Sequence, residues 1–154
     1  MLSSLANLFP MNQQHPQQPN ENQPEDQLPD DLQDLANRLF EAARTGNAEL
    51  ITYIDSGVPV DLANHEGNTF LMLAAYAGHA ALVTALAERG ADPNRLNDRG
   101  QSPLAGAVFK KEDDVIEALL HAGADPLAGS PTAVDTAKLF GREGLVSRFT
   151  ADEK

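Results

Sequence analysis

Four histidines, His15, His65, His79 and His121, are the first residues to weigh for chemistry, and no Cys accompanies them. Without thiols the chain has no Cys-ligated zinc, no thiolate nucleophile and no disulfide framework, which suits a reducing compartment. The histidines recur in no metal-ligand spacing. His79 follows Gly78 in what reads as a turn, where a structural hydrogen bond is the expected role; His65-Glu66 reads as a solvated loop-tip pair. No Ser/His/Asp order stands out, and Gly90 and Gly123 read as helix closers rather than phosphate-cradling glycines. Asp92 and Asp125 occupy matching places in two similar stretches, which favours bonding of loop amides over a paired acid and base. We expect no catalytic residue, no cofactor and no metal.

The elements that carry these residues repeat. Gly57, Gly90 and Gly123 are equally spaced, the same interval separates Gly67 from Gly100, and Ala91-Asp92-Pro93 returns as Ala124-Asp125-Pro126. Such a period marks a repeat architecture, and the chain's 154 residues leave room for about one domain. In the first unit Leu32, Leu35, Leu39, Phe40 and Ala43 form one helical face, Thr45-Gly46-Asn47 makes a turn, and Leu50, Ile51 and Ile54 lead to Gly57. The second unit has Thr69 as cap, Leu71, Leu73, Ala74 and Ala75 pointing inward, and Leu82, Val83 and Leu86 on its second helix. In the third, Ser102 caps, Pro103 takes the favoured first helical position, and Val115, Ile116, Leu119 and Leu120 pack from the second helix. The fourth unit is shortened at its start, with Thr132 and Asp135 at capping-box spacing, followed by Ala137, Leu139, Leu145, Val146 and Phe149. The units fall at about 31–63, 64–96, 97–129 and 130–150, within a repeat domain spanning 30–150.

Residues 1–29 differ in kind. The stretch 12–29 is rich in Gln, Asn and Pro and poor in apolar side chains, so it reads as part of a disordered acidic tail. Leu2, Leu5 and Phe9 lie at roughly helical spacing before Pro10. That run is either an unstructured terminus, with Met11 as an alternative start, or an apolar anchor for a partner groove. The formal net charge of -12 disfavours nucleic acid and anionic lipid as partners. No apolar run is long enough to span a bilayer and the N-terminus does not read as a signal peptide, so a cytoplasmic protein is expected.

The repeated residues resemble the ankyrin repeat family. Gly67-Asn68-Thr69-Phe70-Leu71, Ser102-Pro103-Leu104, Ala74-Ala75 with Gly78-His79, and Gly90-Ala91-Asp92-Pro93-Asn94 carry the likeness, which covers about residues 31–149. It implies an all-α solenoid of about four stacked helix pairs, with hairpin-like loops projecting from one edge and divergent capping units at both ends. Four departures stand out. Phe70 replaces the family's Pro, Met72 and Ala105 replace its His, Gly106 lies inside a helix, and Lys111 takes the place of the turn Gly. The last two make the third unit the expected soft spot, with faster hydrogen exchange than the second.

The resemblance also implies a function. The family's contact surface uses the loop tips and the exposed side of each first helix, which here maps to Arg44, His65, Glu66, Asn68, Tyr76, Arg99, Gln101, Phe109 and Lys110, with Thr45, Ala77, Asp98, Leu139 and Phe140 beside them. Tyr76 and Phe109, one repeat apart, either anchor a partner or shield neighbouring units. Arg44, Arg95, Arg99, Lys110 and Arg142 would place positive charge on the concave side, suited to an acidic segment of a partner protein or of the chain's own tail. The expected function is protein–protein binding by a monomer. The alternatives are an accessory that stabilises or positions an enzyme and, more remotely, an enzyme.

Overall fold

A computed structural model describes residues 30–151, and across them the chain is all-helical. The expected disordered tail lies outside the described residues. Eight helices form four successive pairs: α1 (Asp30–Thr45) with α2 (Glu49–Asp55), α3 (Phe70–Tyr76) with α4 (Ala80–Glu88), α5 (Pro103–Lys110) with α6 (Asp113–His121), and α7 (Ala133–Leu139) with α8 (Glu143–Thr150). The first helices stack in series, α1 on α3, α3 on α5 and α5 on α7, and α4 packs on α6 behind them. The described residues contain no strand. An isolated antiparallel bridge between Ala63 and Thr69 gives the loop ahead of α3 its hairpin character.

Each pair starts and stops for local reasons. The hydroxyls of Thr69, Ser102 and Thr132 accept from the amides of Met72, Ala105 and Asp135 at 3.2, 3.1 and 3.0 Å, so each satisfies one orphan donor of its helix. At the far end of the second helices, Gly57, Gly90 and Gly123 adopt positive φ. The next residue's amide then turns back to a carbonyl in the helix, as from Ala91 to Leu86 at 3.1 Å and from Ala124 to Leu119 at 2.9 Å. Lys111 holds the equivalent left-handed conformation between α5 and α6, at φ 60 and ψ 39.

One continuous core runs through the stack, with Ala43, Leu50, Leu71, Ala74, Val83, Leu86, Ala107, Val108, Val115, Leu119 and Ala137 all buried. Ala at 43, 74, 107 and 137 lets successive first helices approach closely. Phe70 is fully buried with its ring 5.0 Å from that of Phe40, so the residue in place of the family's Pro joins the first two units. Met72 and Ala105 are buried in the stack as well.

The projecting loops are fastened without the missing His. Asn64 Oδ1 accepts from the amides of Glu66 (2.9 Å) and Asn68 (3.0 Å), and Asn97 Oδ1 does the same for Arg99 and Gln101, both at 3.0 Å. The two hydrogens of Asn97 Nδ2 go to Asn68 Oδ1 (2.9 Å) and Gln101 Oε1 (2.7 Å), so one side chain ties its own loop and the preceding one. The amide of Asp98 reaches the carbonyl of Glu66 at 3.1 Å, and that of Ser130 reaches the carbonyl of Gly100 at 3.0 Å. Asp92 and Asp125 bond loop amides, those of Asn94 at 2.8 Å and Leu127 at 2.9 Å. His79 Nε2 lies 2.9 Å from the carbonyl oxygen of Arg44; a carbonyl can only accept, so this nitrogen carries the proton and links the first two units.

Candidate partner-binding groove

The stacked first helices end side by side, and the residues at their C-terminal ends build a groove. α3 contributes Tyr76, α5 contributes Phe109 and Lys110, and α7 contributes Leu139 with Phe140 just after it. The groove's volume is about 630 Å³. Its floor depends on an absent side chain: a Cβ on Gly106 would lie 1.7 Å from Tyr76 Cε1. The helix-breaking residue of the third unit is therefore the seat on which the Tyr76 ring rests. Burial raises the Tyr76 phenol above its ordinary value, against the opposing pull of the Arg99 charge.

The far wall is aromatic and exposed. Phe109 is 61% exposed and meets Phe140 edge to face, ring centroids 5.7 Å apart. Leu139 is 79% exposed. The ammonium of Lys111 stands 5.9 Å from the centre of the Phe140 ring, at the outer limit of a cation–π contact. Of the five exposed large apolar residues among those described, Phe109, Leu139 and Phe140 lie in this groove.

Charge around the groove differs from the molecule as a whole. Among the described residues, Arg44, Arg89, Arg142 and Arg148 each pair with a carboxylate, from Glu41, Asp55, Asp113 and Glu117. Among the same residues, Lys110 on the groove wall forms no ion pair, nor do Lys111 beside Phe140, Lys138 next to Leu139, or Arg99 near Tyr76. One carboxylate, Asp135, lines the groove. An apolar trough has Lys110, Lys111 and Arg99 beside it, none ion-paired among the described residues, on a chain of net charge -12.

Comparison with known proteins accounts for the scaffold. A family model described as ankyrin repeats in three copies matches residues 39–129, more than half of the chain. The chain belongs to the ankyrin repeat family. Its relatives include the mouse inactive serine/threonine-protein kinase TEX14, 37% identical over 92 residues, which are 59% of this chain and 6% of that protein. Human ankyrin repeat domain-containing protein 29 is 50% identical over 62 residues, 39% of this chain and 21% of its own length. A putative ankyrin repeat-containing protein of Treponema pallidum is 37% identical over 87 residues, 55% of this chain and 29% of its own. The chain thus spans a minor part of the curated relatives it matches. Ankyrin repeats are in general protein–protein interaction modules. The last described helix pair, whose Leu139 and Phe140 complete the groove's far wall, lies beyond the matched residues.

The expected contact residues divide into three groups. Tyr76, Gln101, Phe109 and Lys110 come together on the groove, and Arg99 is exposed close by. His65 and Glu66 are exposed at a loop tip and do not line it. Asn68 is buried and bonded to Asn97 and Glu66, and Arg44 is paired with Glu41 at 3.2 Å while its carbonyl accepts from His79; Gln101 stays with the groove group, its Oε1 held by Asn97. Of the expected cations, Arg142 is likewise engaged, with Asp113 at 3.0 Å. Sequence reasoning missed Ala105, Gly106, Pro131, Asp135 and Thr136 as lining residues, and Lys111 as a cation beside the groove. Gly106 was the available signal, because a glycine inside an amphipathic helix marks a close approach. No group of three or more His, Cys, Asp or Glu among the described residues could hold a metal ion. No helix of the described residues is long and apolar enough to cross a membrane.

Proposed function

We propose that this ankyrin array binds a partner protein by taking an apolar side chain, flanked by acidic residues, into the groove between Tyr76 and Phe140. The observation that carries the reading is the coincidence of exposed Phe109, Leu139 and Phe140 with Lys110 and Lys111, which form no ion pair among the described residues, on an otherwise acidic molecule. Large exposed apolar side chains cost solubility, and clusters of them mark interaction surfaces. Aromatic anchors in a pocket are where binding energy concentrates, and a cationic rim favours encounter with an acidic segment. In this reading the protein is a non-enzymatic, monomeric adaptor acting in the cytoplasm, with neither nucleic acid nor membrane as its target. Arg99 is an outer contact, and His65 and Glu66 are secondary ones.

The test is crosslinking in native cells followed by mass spectrometry, comparing the unaltered chain with Phe109→Ala/Leu139→Ala and with Thr52→Ala on the other helix layer. Crosslinks should map to α5 and α7. The groove variant should lose the partner at least tenfold while Thr52→Ala retains it. Equal recovery by a folded groove variant would place the contact elsewhere.

A further inference from the structure

The chain carries its own candidate for this groove. The segment 1–29 ahead of α1 has Leu2, Leu5, Leu8 and Phe9 near its start, then Glu21, Glu25 and Asp26, and no Lys or Arg. The apolar anchors match the groove, and the acidic residues follow further along, on the tether that must run past the cations beside it. We propose that residues 2–9 occupy the Tyr76–Phe109–Phe140 groove of their own chain, so that a partner binds by displacing them. The inference rests on the groove reading above.

Length permits it. Stacked helices lie about 8–10 Å apart, so the route from α1 past α3 to the groove between α5 and α7 is two to three steps, roughly 20–30 Å. The segment 10–29 separates the anchor from α1. Fully extended it reaches roughly 66 Å, and the r.m.s. span of about 25 Å for a Gly-rich chain of that length is a lower bound for this Pro-containing stretch. A tether whose span matches the separation gives an effective concentration in the millimolar range, so even a weak anchor is well populated in cis. The sign of the charge strengthens the case. Tail and groove rim are opposite, whereas tail and the remaining acidic surface repel. A second copy would have to bring one molecule of charge -12 against another to deliver the same peptide.

Because the chain has no Cys, a spin label can be placed at one chosen position. In full-length Ser4→Cys carrying a nitroxide, the amide signals of Phe109, Lys110, Leu139 and Phe140 should broaden, while those of Thr84 and Ala118 on the second-helix layer keep their intensity. Adding Leu5→Asp and Phe9→Asp, substitutions outside the folded repeats, should restore the groove signals. Uniform broadening, no broadening, or broadening that survives both substitutions would overturn the proposal. So would broadening in a mixture of unlabelled isotope-enriched chain with labelled unenriched chain, which would assign the contact to a second copy. No partner takes part in this measurement, so its failure removes the tail and leaves the groove to be judged by crosslinking.

Discussion

Gly106 and Tyr76 act as one unit divided between two helices. Taken alone, a glycine in α5 costs up to about 1 kcal/mol against alanine, which suggests that Gly106→Ala should stabilise. The seated Tyr76 ring reverses that sign, because the new methyl group would overlap Cε1. Gly106→Ala should therefore destabilise the protein by about 1–3 kcal/mol, as overpacked sites do. In a Tyr76→Ala background the same substitution should be neutral or stabilising. Denaturation midpoints of the four chains check this, and an additive cycle would mean that the ring does not rest there. Lys111 behaves in the opposite way: its left-handed backbone carries about 1–2 kcal/mol of strain that glycine would relieve. Lys111→Gly should raise the melting temperature despite the lost contact with Phe140, and a lowered one would show that the contact outweighs the strain. Both residues stand out as unusual in the sequence alone. For Lys111 the reason is legible there too, because its difficulty is local; for Gly106 it is not, because the cause is Tyr76 on the neighbouring first helix.

At the scale of elements, helices and loops were legible to different degrees. Thr69, Ser102 and Thr132 cap where their sequence contexts place them, because a cap is settled within a single helical turn. The loop ties were harder to read. Asn64 and Asn97 recur at the same distance before Gly67 and Gly100, a visible pattern, yet the role of Asn97 appears only when its amide is seen spanning two loops. Asn97 is buried, and its removal leaves the amides of Arg99 and Gln101 without their acceptor. Asn97→Ala should cost about 2–3 kcal/mol, as for buried polar groups left unsatisfied. Asn64→Ala should cost less, since no bond from its side chain reaches a neighbouring unit. Urea midpoints order the pair. The same network explains why Asn68, read from the sequence as a contact residue, faces inward to Asn97, while Gln101 lines the groove with its Oε1 held by Asn97.

Across the whole molecule, ion pairs are distributed unevenly. Arg89 with Asp55 joins the first two helix pairs, and Arg142 with Asp113 and Arg148 with Glu117 join the last two. Among the described residues none joins the second pair to the third, which are held by helix packing, the Tyr76 ring on Gly106, and the Asn68–Asn97 and Asp98–Glu66 bonds. Hydrogen bonds from Arg89 and Arg148 hold the carboxyls of Asp55 and Glu117 below their ordinary values of 3.8 and 4.5. Each contribution is therefore complete above those values and is lost as pH falls through the lower, folded ones. Melting temperature should drop between about pH 5 and pH 2, and the drop should be shallower in Asp55→Asn/Glu117→Gln. Because these groups are exposed, salt should blunt the difference.

Leu139 and Phe140, which complete the groove's far wall beside Phe109, belong to the last described helix pair. Opening of α7 and α8 dismantles Phe140, Leu139 and Asp135 together, so groove occupancy and terminal folding form a single thermodynamic cycle. A bound segment should slow proteolysis at α7 and α8 far more than at α1. Any truncation that frays α8 should weaken binding without removing a single contact residue.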